Sequence, residues 1–73
     1  MKYLQSNPEV MGGDLVIAGT RIPIDVILYR LKDGYSLKEI HRLYPSPSMK
    51  TLNGAIEEAI DLLNSLSHGK NIL

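Results

Sequence analysis

Two predicted helices meet in residues 36–66, which read SLKEIHRLYPSPSMKTLNGAIEEAIDLLNSL. Ser36 and Glu39 have the spacing of a capping box, in which each side chain accepts the backbone N–H of the other residue. A helix is therefore expected over about residues 36–44. Its inner face would carry Leu37, Ile40 and Tyr44, with Leu43 beside them.

A turn with two prolines separates this helix from a longer one. Pro45 and Pro47 end the first helix, because proline lacks the N–H that the helix ladder needs. Ser48 is the expected N-cap of the next helix, which should run over about residues 48–66. Seven apolar residues fall on one broad face of that helix: Leu52, Ala55, Ile56, Ala59, Leu62, Leu63 and Leu66.

A third helix is expected upstream, over about residues 23–33. Pro23 suits the first turn of a helix, where a missing N–H has no consequence. Gly34 is a favoured residue just after a helix, because glycine accepts a positive φ. The spacing i, i+3, i+4 and i+7 of a single helical face is met by Ile24, Ile27, Leu28 and Leu31.

The chain before this helix has β character. The run 15–17 is apolar and rich in β-branched residues, Gly19 breaks it, and the run 20–22 can return as a second strand. We therefore expect a short β element over about residues 9–22, folded as a hairpin. Two short strands are marginal alone and need a helix to pack against.

Length and composition limit the classes of protein that fit. The chain has 73 residues, eight Lys and Arg against eight Asp and Glu, and no cysteine. Its size predicts a single domain over residues 1–73. The residues after the last helix, His68-Gly69-Lys70-Asn71 among them, are expected to form a fraying tail at 67–73. The lack of cysteine argues against a secreted disulfide scaffold. The equal numbers of basic and acidic residues argue against a strongly basic nucleic-acid binder. No apolar run approaches the roughly 20 residues that span a bilayer, and the polar N-terminus does not resemble a signal peptide, so a cytoplasmic protein is expected.

The expected fold is mainly α: a small three-helix, helix-turn-helix-like domain preceded by a short N-terminal β-hairpin. In a helix-turn-helix the last helix presents its N-terminal end to the DNA major groove. Lys50, Thr51 and Asn53 are the candidate DNA contacts at that end, with Arg42 and Lys38 as candidate backbone contacts. A solvated polar face is the alternative interpretation of each of them. Phosphate would repel the acidic residues further along the same helix: Glu57, Glu58 and Asp61.

Gly54 is unexpected in the middle of a helix, where glycine costs about 1 kcal/mol relative to alanine. It indicates either the close approach of another group to this helix or a tolerated defect.

The apolar face of the last helix is longer than the two short helices can cover. Surplus apolar surface on a small domain is typical of a binding surface, and the candidate partner-binding residues are Ile56, Ile60, Leu63 and Leu66. The alternative is that the N-terminal hairpin covers them. We expect self-association or a stoichiometric partner.

Catalysis has little support. His41 has no serine, cysteine or carboxylate at a spacing that would make it a catalytic base. The glycines do not form a phosphate-binding loop, since no Gly-Lys-Ser/Thr follows them. No catalytic residue, cofactor or metal site is expected.

A series of short motifs is more specific than these patterns. It comprises Pro8, Gly12-Gly13, Val16-Ile17, Gly19-Thr20-Arg21-Ile22-Pro23-Ile24, Asp33-Gly34-Tyr35-Ser36, Glu39-Ile40 and Tyr44-Pro45. Over about residues 6–62 the chain resembles the bacterial and archaeal family of domain of unknown function 433. Two positions depart from the usual family pattern: Asp14-Leu15 stands where a basic residue and proline are common, and Ala18 where a basic residue is common.

The resemblance implies a helix-turn-helix-class protein similar to antitoxins of VapB type. Such proteins are often encoded beside PIN-like ribonuclease toxins, so the implied function is to bind and silence the toxin and to bind operator DNA. The alternative is a free-standing, dimeric DNA-binding regulator without a toxin partner.

Arg21, within the most characteristic motif, has two interpretations. Its guanidinium can bind a carboxylate or phosphate through two parallel hydrogen bonds, which makes it a candidate recognition residue for DNA. Alternatively it pins the hairpin to an acidic residue of its own domain, such as Asp25 or Glu39.

Overall fold

A computed structural model describes residues 1–9 and 14–70, with side chains described up to residue 66. It confirms a small, mainly helical fold in which a two-stranded antiparallel hairpin precedes three helices. The elements, in chain order, are β1 (Leu4–Ser6), β2 (Leu15–Ile17), α1 (Ile24–Lys32), α2 (Leu37–Leu43) and α3 (Met49–Lys70).

The hairpin uses a different first strand from the one that the sequence predicted. β1 pairs antiparallel with β2, with Leu4 opposite Ile17 and Ser6 opposite Leu15. The β element therefore begins at residue 4 and not near residue 9. The expected return strand over residues 20–22 is wrong, because that segment contributes only one isolated bridge, between Val16 and Pro23.

Local hydrogen bonds explain why the chain turns after β2 without forming a strand. Gly19 has a φ of 76°, which glycine adopts without strain. The Thr20 hydroxyl donates to the Ile17 carbonyl at 2.8 Å and accepts the Ile22 N–H at 3.0 Å. These bonds hold a tight bend, and Pro23 then directs the chain into α1.

The predicted helix-end signals are confirmed. Ser36 and Glu39 form the capping box: the Glu39 nitrogen lies 3.1 Å from Ser36 Oγ, and the Ser36 nitrogen lies 2.8 Å from Glu39 Oε1. The hydrogen bonds from Ser36 lower the pKa of the Glu39 carboxyl, and the positive charge of Arg42 adds to this. Gly34 follows α1 with a φ of 97°, and Ser48 Oγ accepts the Thr51 N–H at 3.1 Å.

α3 is the element on which the others pack, since it contacts both strands and both shorter helices. Its buried side chains are Leu52, Ala55 and Ala59. They meet buried residues from every other element, namely Leu4, Ile17, Ile24, Ile27 and Ile40.

α3 is also longer than predicted. The sequence predicted a fraying tail over residues 67–73, but the helix continues to Lys70. One glycine in that stretch costs a helix only about 1 kcal/mol, which does not stop it when no proline follows. Residues 71–73 lie outside the described residues.

The Glu58 carboxylate attaches β1 to α3. Its two oxygens accept the backbone N–H groups of Lys2, Tyr3 and Leu4 at 3.0–3.1 Å. Three successive amides thus converge on one charged acceptor, which makes these stronger than neutral hydrogen bonds.

Gly54 lies where the Tyr3 ring meets α3. A Cβ atom at Gly54 would lie 2.7 Å from Tyr3 Cγ, closer than non-bonded carbons approach. The expected close approach to this helix is therefore confirmed, and the approaching group is the Tyr3 ring of the chain's own N-terminal segment.

We predict that Gly54→Ala lowers the free energy of unfolding by about 1–2 kcal/mol, because overpacking outweighs the gain in helix propensity. In a Tyr3→Ala background the same substitution should raise it, by up to about 1 kcal/mol. Urea unfolding of the four variants of this double-mutant cycle measures both effects. A stabilising Gly54→Ala in the wild-type background would contradict the packing described here.

We further predict that Glu58→Ala lowers the free energy of unfolding by about 1–2 kcal/mol, because partly buried amides lose their acceptor. Glu57→Ala is the matched control: Glu57 is exposed and has no hydrogen bond or ion pair with a described residue. Its removal should change stability by less than about 0.5 kcal/mol. Equal losses in the two variants would exclude this role of Glu58.

Candidate interaction surfaces

The outer part of α3 leaves the globule. Among the residues of α3 whose burial is described, up to residue 66, Ala59 is the last buried one, and all residues from 60 to 66 are exposed. We call residues 60–66 the arm; at 1.5 Å per residue it is about 10 Å long. Four of its seven residues are large and apolar, with exposed fractions between 39% and 58%: Ile60, Leu62, Leu63 and Leu66.

The candidate partner-binding residues divide into two groups. Ile60, Leu63 and Leu66 are exposed on the arm, whereas Ile56 is half-buried and packs against the core. The hairpin therefore covers α3 near Gly54 and Glu58 and leaves the arm uncovered. Leu62 belongs to the same surface. The apolar pattern of α3 already includes Leu62 in the sequence. Its exposure becomes evident in the structure, where the buried core ends at Ala59.

A shallow groove of about 360 Å³ lies beside the arm. Met1 and Leu62 provide its apolar lining, and Glu58 and Asp61 provide carboxylates. Met1 is 69% exposed. The sequence pattern gave no sign of Met1, because Met1 joins the groove through the attachment of β1 to α3, more than 50 residues away along the chain.

The candidate DNA contacts on α3 are not equivalent. Lys50 and Asn53 are exposed, and the first turn of α3 contains no acidic residue. Thr51 is half-buried, and its hydroxyl accepts a hydrogen bond from Ser48 Oγ at 3.0 Å. Lys50 and Asn53 are three residues apart and neighbour each other on the helix surface, whereas Thr51 serves the cap.

α2 carries two further candidate cations, Lys38 and Arg42, and both are exposed. Of the acidic residues of α3, Glu57 and Asp61 are exposed, whereas Glu58 is half-buried and bonded to β1. The sequence placed Glu58 at the edge of the polar face and gave no sign of this bond, because the amides that it binds are distant in the chain.

Arg21 is exposed in the turn before α1, and it forms no hydrogen bond or ion pair with any described residue. The suggested pairing with Asp25 or Glu39 is therefore wrong. The Glu39 carboxylate is instead occupied by the Ser36 N–H. Arg21 remains a candidate recognition residue, but no hydrogen bond or ion pair joins it to α2 or α3 among the described residues.

No group of three or more His, Cys, Asp or Glu side chains among the described residues converges as metal ligands do. None of the helices found there has both the length and the apolar content that crossing a bilayer requires.

The chain matches a known protein family over most of its length. The family model described as "Protein of unknown function (DUF433)" matches residues 4–59, which include both strands, α1, α2 and the buried half of α3. The match ends at Ala59, where the core ends, and the arm lies beyond it. No curated protein and no solved structure matches the chain.

Proposed function

The chain belongs to the DUF433 family of proteins of unknown function, and we propose that it is an antitoxin-like interaction protein. On this proposal it binds and neutralises a PIN-like ribonuclease toxin in the cytoplasm, and its function is binding and not catalysis. The toxin as partner comes from the family resemblance, and the binding surface is argued from the structure.

The observation that carries the proposal is the uncovered arm. Ile60, Leu63 and Leu66 are each about half exposed, on a helix whose other half is the centre of the core. An exposed apolar helix on a small domain is a recurring mode of recognition, in which the helix lies in an apolar groove of a partner.

A second activity, binding of operator DNA, is favoured by the first turn of α3. Lys50 and Asn53 are exposed there, and the turn has no carboxylate to repel phosphate. Lys38 and Arg42 are exposed on the preceding helix. The two activities use opposite ends of α3 and are therefore compatible.

The alternative is a free-standing regulator that dimerises and binds DNA without a toxin. In that case a second copy would cover the arm. The two proposed functions are distinguished by purifying the tagged protein from its native host and identifying the proteins that remain bound to it.

We predict that tagged wild-type protein, purified at moderate salt, retains a stoichiometric small nuclease-like protein identified by mass spectrometry. Leu63→Ser combined with Leu66→Ser should weaken the reconstituted complex at least tenfold, because a fully buried leucine contributes about 1.5–3 kcal/mol. Leu43→Ser is the matched control, since Leu43 on α2 is also 50% exposed but lies off the arm. Recovery of a dimer without a partner would instead favour the regulator.

For DNA binding, we predict that Lys50→Ala lowers affinity for the DNA upstream of the chain's own gene. The slope of log affinity against log salt should become shallower by about 1, because one phosphate contact is lost. Asn53→Ala should lower affinity with little change in slope. Lys70→Ala, twenty residues along α3 and therefore about 30 Å away, is the control; a salt-independent signal would exclude DNA binding at this surface.

A further inference from the structure

The beginning of α3 exposes few side chains. Of residues 49–54, Leu52 is buried in the core, and Gly54 lies beneath the Tyr3 ring. Thr51 is half-buried, and its hydroxyl accepts a hydrogen bond from Ser48 Oγ at 3.0 Å. The other three residues of this stretch are exposed, and we call them the triplet: Met49, Lys50 and Asn53.

The triplet forms one continuous surface. Asn53 follows the other two residues by four and three positions, so on a helix with 3.6 residues per turn it lies between them. Met49 is 39% exposed at one border of this surface, and Lys50 lies at the other border. The next exposed residue of α3 is Glu57. Its charge would repel phosphate, so the surface that DNA can approach ends there.

The three side chains suit different parts of a DNA duplex. The amide of an asparagine pairs with adenine in the major groove, where its N–H donates to N7 and its carbonyl accepts from the N6 amino group. An apolar side chain contacts the methyl group that distinguishes thymine. An ammonium group binds phosphate, which positions a protein on the duplex without reading its sequence.

We propose that the triplet reads an A·T base pair, with Asn53 on adenine, Met49 against the thymine methyl group and Lys50 on a neighbouring phosphate. This inference rests on the DNA binding proposed above and specifies the sequence that is bound. Met49 and Asn53 are neighbours on the helix surface. The adenine amino group and the thymine methyl group lie on the same major-groove edge of one base pair, so a single A·T pair can satisfy both side chains.

A G·C pair at this position would fit less well. It offers neither the adenine amino group for Asn53 nor a methyl group for Met49. Guanine is most often read by arginine, and α3 contains none. With Lys50 on phosphate, the triplet retains no cation for O6 and N7 of guanine.

The test begins with the full chain, immobilised, and a pool of synthetic DNA duplexes with a randomised centre. We expect the duplexes retained by wild-type protein to share an A·T base pair, and those retained by Asn53→Ala to lose this shared position. Asn64→Ala is the matched control, because Asn64 is also exposed but lies about 16 Å further along α3. Met49 and Asn53 lie outside the core, so their variants should fold as the wild type does.

Modified bases in the selected duplex then assign each contact by fluorescence anisotropy. Uracil in place of thymine removes the methyl group alone. It should weaken wild-type binding about threefold, the effect of one lost apolar carbon, and should leave Met49→Ala binding unchanged. Met49→Leu keeps an apolar side chain and should keep the response to uracil.

The adenine contact is tested in the same way. 7-Deazaadenine lacks the N7 acceptor and should weaken wild-type binding about fivefold, since one bond of a bidentate pair is lost. Asn53→Ala should not respond to this change, whereas Asn64→Ala should respond as the wild type does.

Wild-type affinity that neither modified base changes would overturn the inference. So would a response to uracil that persists in Met49→Ala, or a response to 7-deazaadenine that persists in Asn53→Ala. Retention of duplexes that share a G·C pair, or no position at all, would also overturn it while leaving DNA binding intact. If no duplex is retained, the proposed DNA binding fails, and the A·T preference fails with it.

Discussion

The bond between the Glu58 carboxylate and three successive amides of the N-terminal segment sets the arrangement of the whole domain. It fixes β1 against α3, and the Tyr3 ring then fills the space that Gly54 leaves open. β2 pairs with β1, and its other edge binds the segment that leads into α1. This side chain therefore ties the hairpin to α3, while α1 also packs on α3 directly through the core.

The lengths of the elements around α3 determine which part of this helix is available for binding. The hairpin, α1 and α2 cover the helix only as far as Ala59, where the last small residue meets the core. Beyond this point the apolar pattern continues although no described element lies over it. One half of α3 is therefore covered and the other exposed because the elements around the helix are short, and not because the helix itself changes.

Local signals were sufficient to predict the helices but not the strand pairing or the covered surface. Ser36, Glu39, Gly34 and Ser48 act on residues within one turn, so their roles could be deduced from spacing. β1 was not predicted because its three residues have weak β character and pair with residues nine to thirteen positions away. Gly54 indicated that something approaches α3 but not what. The suggested pairing of Arg21 with Asp25 or Glu39 depended on side-chain positions that the sequence does not give. Periodicity shows that a face is apolar, whereas exposure depends on contacts from distant parts of the chain.

The departure of α3 from the globule also has a dynamic consequence. The backbone hydrogen bonds of the arm have no tertiary packing behind them, and a helical segment of that length is unstable in water by itself. Its amides should therefore exchange with solvent progressively faster from Ala59 outward, as helix ends without tertiary support do. A protein that binds the arm must hold it helical, so part of the contact free energy is used in ordering the chain, and the affinity is lower than the buried area alone implies.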